Sequence, residues 1–144
     1  MDISIFDNER LDDLQYKGLM LLQKKDGFCF GVDAVLLSHF AQVSKNSIVI
    51  DLGTGTGIIA VLLAAKKEPR KVIGLEIQTE MAEMAARSVK LNGLEDRVEI
   101  VQGDINEAVK LFGASSGIIF RFGLKIDEFT SFQINLFVII LNYT

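Results

Sequence analysis

The chain has 144 residues, 49% of them hydrophobic and 24% charged, which fits one globular domain and excludes a disordered segment. A net charge of −4 argues against a generally basic nucleic-acid binder, and the single cysteine, Cys29, excludes an internal disulfide. With His39 the only histidine, no metal-ligand cluster of nitrogen and sulfur donors is expected; with no charged-then-apolar leader and no apolar run near the length of a membrane span, neither is a membrane span, and a cytoplasmic protein is expected.

The first fifteen residues are polar and acidic, with Asp7, Glu9, Arg10, Asp12 and Asp13 close together, and read as a solvated lead-in. Leu19 to Leu22 and Phe28 to Phe30 flank Lys24-Lys25-Asp26-Gly27, and Asp-Gly between two apolar runs predicts a β-hairpin, because both turn positions tolerate positive φ. Asp33 then stands where it would cap a helix over Ala34 to Gln42. The run Ile48 to Leu52 is apolar and β-branched without alternation, the pattern of a strand buried on both faces of a parallel sheet. A helix is predicted from Gly57 to Lys67, stopped by Glu68-Pro69. Between them lie three glycines at alternate positions, Gly53, Gly55 and Gly57, which permit positive φ and let a ligand approach the backbone at the start of the helix.

Lys71 to Glu76 predicts a second buried strand ending in a carboxylate, and a carboxylate there suits the two adjacent hydroxyls of a ribose. Gln78 to Asn92 is amphipathic, with Met81, Met84, Ala85, Ser88 and Val89 on one face, and Asn92-Gly93 supplies a left-handed cap. Arg97 to Gln102 predicts a third strand, followed by Gly103-Asp104. If the strands near residues 48, 72 and 98 pair in parallel in that order, Asp51, Glu76 and Asp104 share one rim. The cations Lys66, Lys67, Arg70 and Lys71 gather where the first crossover helix ends, which its dipole favours without any ligand.

Spacing narrows the ligand. A dinucleotide fingerprint requires Gly-x-Gly-x-x-Gly, and counting from Gly53 the sixth residue is Ile58. Asp51-x-Gly53-x-Gly55-x-Gly57 resembles instead the first motif of the class I S-adenosylmethionine-dependent methyltransferases, whose glycines pass under the methionine part of the cofactor. Glu76 resembles that family's ribose-binding acid, and Gly103-Asp104 the motif whose Asp accepts from the adenine amino group. The block Phe28-Cys29-Phe30-Gly31-Val32-Asp33-Ala34-Val35-Leu36-Leu37 is similar to one found before the glycine motif in the bacterial tRNA(Val) adenine-N(6) methyltransferases and their small-domain relatives. The resemblance implies an α/β, Rossmann-like parallel sheet and S-adenosylmethionine as cofactor. It implies Gly31, Asp33, Asp51, Gly53, Thr54, Gly55, Gly57, Glu76, Ile77, Gly103, Asp104 and Ile105 as cofactor-side residues, and methyl transfer to an exocyclic amine, adenine in tRNA, as the reaction.

One departure stands against it. Family members follow the Asp104 motif with Asn/Asp-Pro-Pro-Tyr/Phe, which accepts from and stacks on the base, but the only proline here is Pro69. No catalytic residue is therefore assigned. Residues 113–144 carry only Arg121, Lys125, Asp127 and Glu128 as charges, and within them Ile134 to Leu141 reads as a buried or edge strand. The expected organisation is a lead-in over 1–15, the cofactor-binding half over 16–112 and an atypical apolar tail over 113–144, as from a truncated or frameshifted gene. The sheet would then be incomplete on its C-terminal side, and the alternative function is cofactor binding without turnover.

Overall fold

The computed structural model describes residues 3–27, 31–112 and, as backbone, 137–142. An antiparallel hairpin pairs β1 (Glu9–Asp13) with β2 (Met20–Lys24), placing Leu11 opposite Leu22. The hairpin exists but not where it was expected. Its turn is Leu14 to Leu19, closed by Leu14 N–H donating to the Leu19 carbonyl at 2.9 Å, and Asp26-Gly27 lies in the turn that leaves β2. Phe28 to Phe30, expected as the second strand, lies outside the described residues.

The acidic segment expected to be a solvated lead-in thus contains a strand, and the reason is a partner far along the chain. Glu9 is 4% exposed. Both its carboxylate oxygens accept from Arg87, at 2.5 and 2.7 Å, while Arg87 also lies 4.5 Å over the Phe6 ring and donates to the Ser4 carbonyl. The free edge of β2 is satisfied by side chains just after Arg87 in the chain: Leu22 N–H donates to Ser88 Oγ (3.0 Å), Met20 N–H to Asn92 Oδ1 (2.9 Å), and Asn92 Nδ2 to the Met20 carbonyl (2.7 Å).

The main sheet runs in the order β5 (Val98–Gln102), β4 (Lys71–Glu76), β3 (Ser47–Leu52), β6 (Phe137–Asn142). β3, β4 and β5 pair in parallel as the apolar runs predicted, and β6 pairs antiparallel with β3, Ser47 facing Asn142. The rest of the segment after Phe112 lies outside the described residues. Register aligns Val49, Val72 and Val98 on one face and, two residues on, Asp51, Gly74 and Ile100.

That face is covered by α1 (Val32–Phe40), α2 (Ile58–Lys67) and α3 (Thr79–Leu91), whose Leu37, Ile58 to Ala64 and Val89 form one core with Val49, Val72 and Val98. Residues 58–64 of α2 are all buried, which accounts for their unbroken apolar run. The opposite face carries Ile50 and Leu75, also buried. β3 is therefore dry on both sides at its centre, although Ile48 and Leu52 are only half-buried. α1 begins at Val32, two residues before the predicted start, so Asp33 lies inside its first turn and makes no capping hydrogen bond. Its charge there still suits the helix dipole. At the other end Lys67 Nζ donates to the His39 carbonyl at 2.7 Å, capping α1 with a cation from α2. Gly93, at φ 63°, ends α3 as the Asn-Gly pair predicted.

Candidate functional site

β3 delivers the chain to the rim of the sheet, and the loop that follows turns on glycine alone: Gly53, Gly55 and Gly57 have φ of 76°, 58° and 86°. The loop is moored to the neighbouring strand, because the N–H groups of Gly53 and Thr54 both donate to the Leu75 carbonyl, at 2.8 and 3.0 Å. The glycines divide into two roles. Among the described residues a Cβ added at Gly53 or Gly55 meets no atom within 4 Å, so both α-carbons border open space, whereas one at Gly57 comes within 3.2 Å of Ala85 Cβ. The first two leave room for a ligand, and the third lets α2 pack close to α3.

Asp51 turns inward rather than toward that space. It is 1% exposed and its Oδ2 accepts from Thr54 Oγ1 at 2.7 Å, so it ties strand and loop together. Burial pushes its carboxyl up to about 6 from an ordinary 3.8; the Thr54 hydrogen bond and the nearby Ala60 amide oppose the rise and the Glu76 charge adds to it. A raised carboxyl binds a proton more tightly folded than unfolded, so this contribution to stability is complete below 3.8 and is lost as pH rises through about 6. In denaturant unfolding at several pH values, wild type should therefore gain on Asp51→Asn by about 2 kcal/mol as the pH falls from 7 to 4. A constant difference would refute the assignment.

Glu76 ends β4 on the same rim, as the parallel order required. It is 6% exposed, with Oε2 accepting from Gly55 N–H and Oε1 from Gln78 N–H, each at 2.9 Å. Each oxygen keeps a lone pair. Asp104 stands beyond β5 and caps a short 3-10 turn (Ile105–Glu107); Asn106 N–H and Nδ2 both donate to its Oδ1, at 2.8 and 2.9 Å, which leaves Oδ2. Gly103 links the two acids through its N–H, donated to the Glu76 carbonyl at 2.9 Å. Ile77 and Ile105, each directly after an acid, are 60% and 43% exposed. Gly31 and Asp33 lie at the start of α1, where a Cβ on Gly31 would fall 2.2 Å from Asp33 Oδ1, so the glycine makes room for that carboxylate. Among the described residues no hydrogen bond joins them to the glycine loop. The Leu75 carbonyl and the Gln78 amide, which brace the loop and Glu76, are backbone groups with no sequence signal.

A glycine loop, a buried acid behind it and two further acids on one parallel rim make a nucleoside-type cradle, and the family model described as methyltransferase domain matches residues 43–128, which hold all of these. The chain belongs to the methyltransferase-domain family. It is, by family, of the class I S-adenosylmethionine-dependent type. This methyltransferase domain is 34% identical over 91 residues to the tRNA1(Val) (adenine(37)-N6)-methyltransferase of Bacteroides thetaiotaomicron, covering 62% of this chain and 38% of that protein. It is 28% identical over 92 residues to the enzyme of the same name from Actinobacillus pleuropneumoniae, covering 63% and 39%. The chain thus spans about two-fifths of the length of these relatives. Among solved structures, the RNA methyltransferase from Salinibacter ruber in complex with S-adenosyl-L-homocysteine superposes with a TM-score of 0.51 at 27% identity, covering 56% of this chain and 52% of that one.

Proposed function

We propose that the rim binds S-adenosylmethionine and that the chain serves transfer of its methyl group to an exocyclic amine, that of adenine in tRNA. The observation that carries the binding half is the convergence of open glycine α-carbons with Glu76 and Asp104 on one edge. Gly53 and Gly55 admit the methionine part. The spare lone pairs of Glu76 accept the ribose hydroxyls, Asp104 Oδ2 accepts from the adenine amino group, and Ile77 and Ile105 supply apolar contact beside the base. Thr54 and Asp51 hold the loop, and Gly31 and Asp33 border the approach. The cofactor's sulfonium supplies an already activated methyl group, so the protein's share of the work is alignment in a dry site.

The acceptor half of the reading rests on the relatives, which are named for adenine-37 of tRNA1(Val). A cytoplasmic setting goes with it; among the described residues no helix is long and apolar enough to cross a membrane. One observation favours the alternative of binding without turnover: no Asn/Asp-Pro-Pro-Tyr/Phe follows Asp104. A labelled-methyl assay on unmodified bacterial tRNA divides the two, turnover supporting transfer and its absence, with binding intact, supporting a cofactor-binding unit. Calorimetry with S-adenosylhomocysteine tests the binding itself. Glu76→Ala should weaken it by about 1–3 kcal/mol through the lost ribose contacts. Equal affinity for NAD would overturn the choice of ligand.

A further inference from the structure

We propose that Gly74, in the middle of β4, is a positioning residue for the glycine loop, an inference that rests on reading that loop as the cofactor cradle. Its bare α-carbon is the seat on which the Thr54 side chain folds back over the sheet, so β4 sets the shape of a loop that belongs to β3. A glycine inside a strand lowers stability and calls for a reason. Backbone conformation does not supply one, since Gly74 is not among the positive-φ residues.

The neighbours do. Gly74 lies between Asp51 of β3 and Ile100 of β5, and a Cβ there would stand 2.9 Å from Thr54 Oγ1, 2.9 Å from Thr54 Cγ2 and 2.9 Å from Ile100 Cδ1. These contacts yield unequally. Ile100 Cδ1 is the free end of a half-buried side chain and turns aside. Thr54 is 5% exposed, stiff at χ1 as a β-branched residue, and held at three points: its hydroxyl donates to Asp51, its N–H to Leu75, and its carbonyl accepts from Gly57. A methyl at position 74 therefore displaces Thr54 and breaks the Asp51 bond. The next residue is Gly55, whose N–H holds Glu76. The disturbance reaches the ligand edge in two steps.

The test is a cycle of Gly74→Ala, Thr54→Ala and the double variant, with Gly74→Ala/Ile100→Val beside it. S-adenosylhomocysteine affinity is read by calorimetry, and the Asp51 carboxyl titration by NMR. Gly74→Ala should weaken binding about tenfold, the equivalent of one hydrogen bond, and raise the Asp51 midpoint above that of wild type. Adding Gly74→Ala to Thr54→Ala should cost no further affinity, because the Thr54 atoms it strikes are gone and Ile100 Cδ1 turns aside. Additive losses, restoration by Ile100→Val, or an unmoved Asp51 midpoint in Gly74→Ala would each overturn the proposal. If Gly74→Ala alone does not fold, recovery of folding in the double variant supports the seat and its failure refutes it. If wild type takes up no S-adenosylhomocysteine, the cofactor reading falls, and the Asp51 titration still decides the role of Gly74.

Discussion

Arg87→Ala is expected to cost about 1–3 kcal/mol of folding stability, the range for leaving a buried hydrogen-bonding group without its partner. The loss is large because of what remains: the Glu9 side chain is 2% exposed, and without the guanidinium its carboxylate keeps, as hydrogen-bond donor among the described residues, only the Phe6 N–H. The Arg87 hydrogen bonds hold the Glu9 carboxyl below its ordinary 4.5, with burial acting against them. A lowered carboxyl contributes stability that is in place above 4.5 and fades as the pH falls through the lower folded value, the reverse of Asp51. Denaturant unfolding of Arg87→Ala near neutral pH measures the cost. Replacing both partners by apolar residues, as in Arg87→Met/Glu9→Leu, should recover much of it. A single variant within about 0.5 kcal/mol of wild type, the scale of an ordinary surface change, would show that the pair does not hold the hairpin.

Gly55→Val is expected to abolish cofactor binding while the chain still folds. A Cβ there meets no atom of the described residues within 4 Å, so no core packing is disturbed, but that open space is the one the proposed cofactor would take. Left-handed φ at a residue with a Cβ adds a backbone penalty of about 1–2 kcal/mol, more for a β-branched side chain. Gly57→Val should behave differently, since its Cβ strikes Ala85 and the loss appears first in the melting temperature. Calorimetry and thermal unfolding of both variants, side by side, separate cradle from packing. Retained S-adenosylhomocysteine affinity in Gly55→Val would remove this glycine from the site.

The parallel sheet was legible because its cause is local: unbroken runs such as Ile48 to Leu52 and Lys71 to Glu76 carry no alternation, and such strands belong between helices. The rim acids were legible for the same reason, once parallel pairing fixed which strand ends meet. What could not be read was set by distant partners. Glu9-Arg10-Leu11-Asp12-Asp13 looks solvated until Arg87 is beside it, and the edge of β2 looks unsatisfied until Ser88 and Asn92 arrive from α3. Asp33 was misplaced by two residues because Val32 starts α1 without a side-chain cap, leaving no signal at the boundary. Asp51 matched the family motif correctly in position, yet its inward hydrogen bonds depend on a backbone turn that only coordinates reveal. Gly74 was invisible, because a glycine in an apolar strand says nothing of what leans on it.

The two kinds of pairing at β3 differ in how far the chain must travel to make them. Ile48 meets Lys71 across one helix, whereas Ser47 meets Asn142 from near the other end of the chain. Closing a loop costs more entropy the longer it is, and non-local contacts form late in folding. The parallel unit of β3, β4 and β5, with every group of the proposed cradle on it, therefore has the shorter route to its structure. On that ground β6 is expected to dock on an edge already built, which would leave the proposed cofactor rim independent of when that last strand arrives.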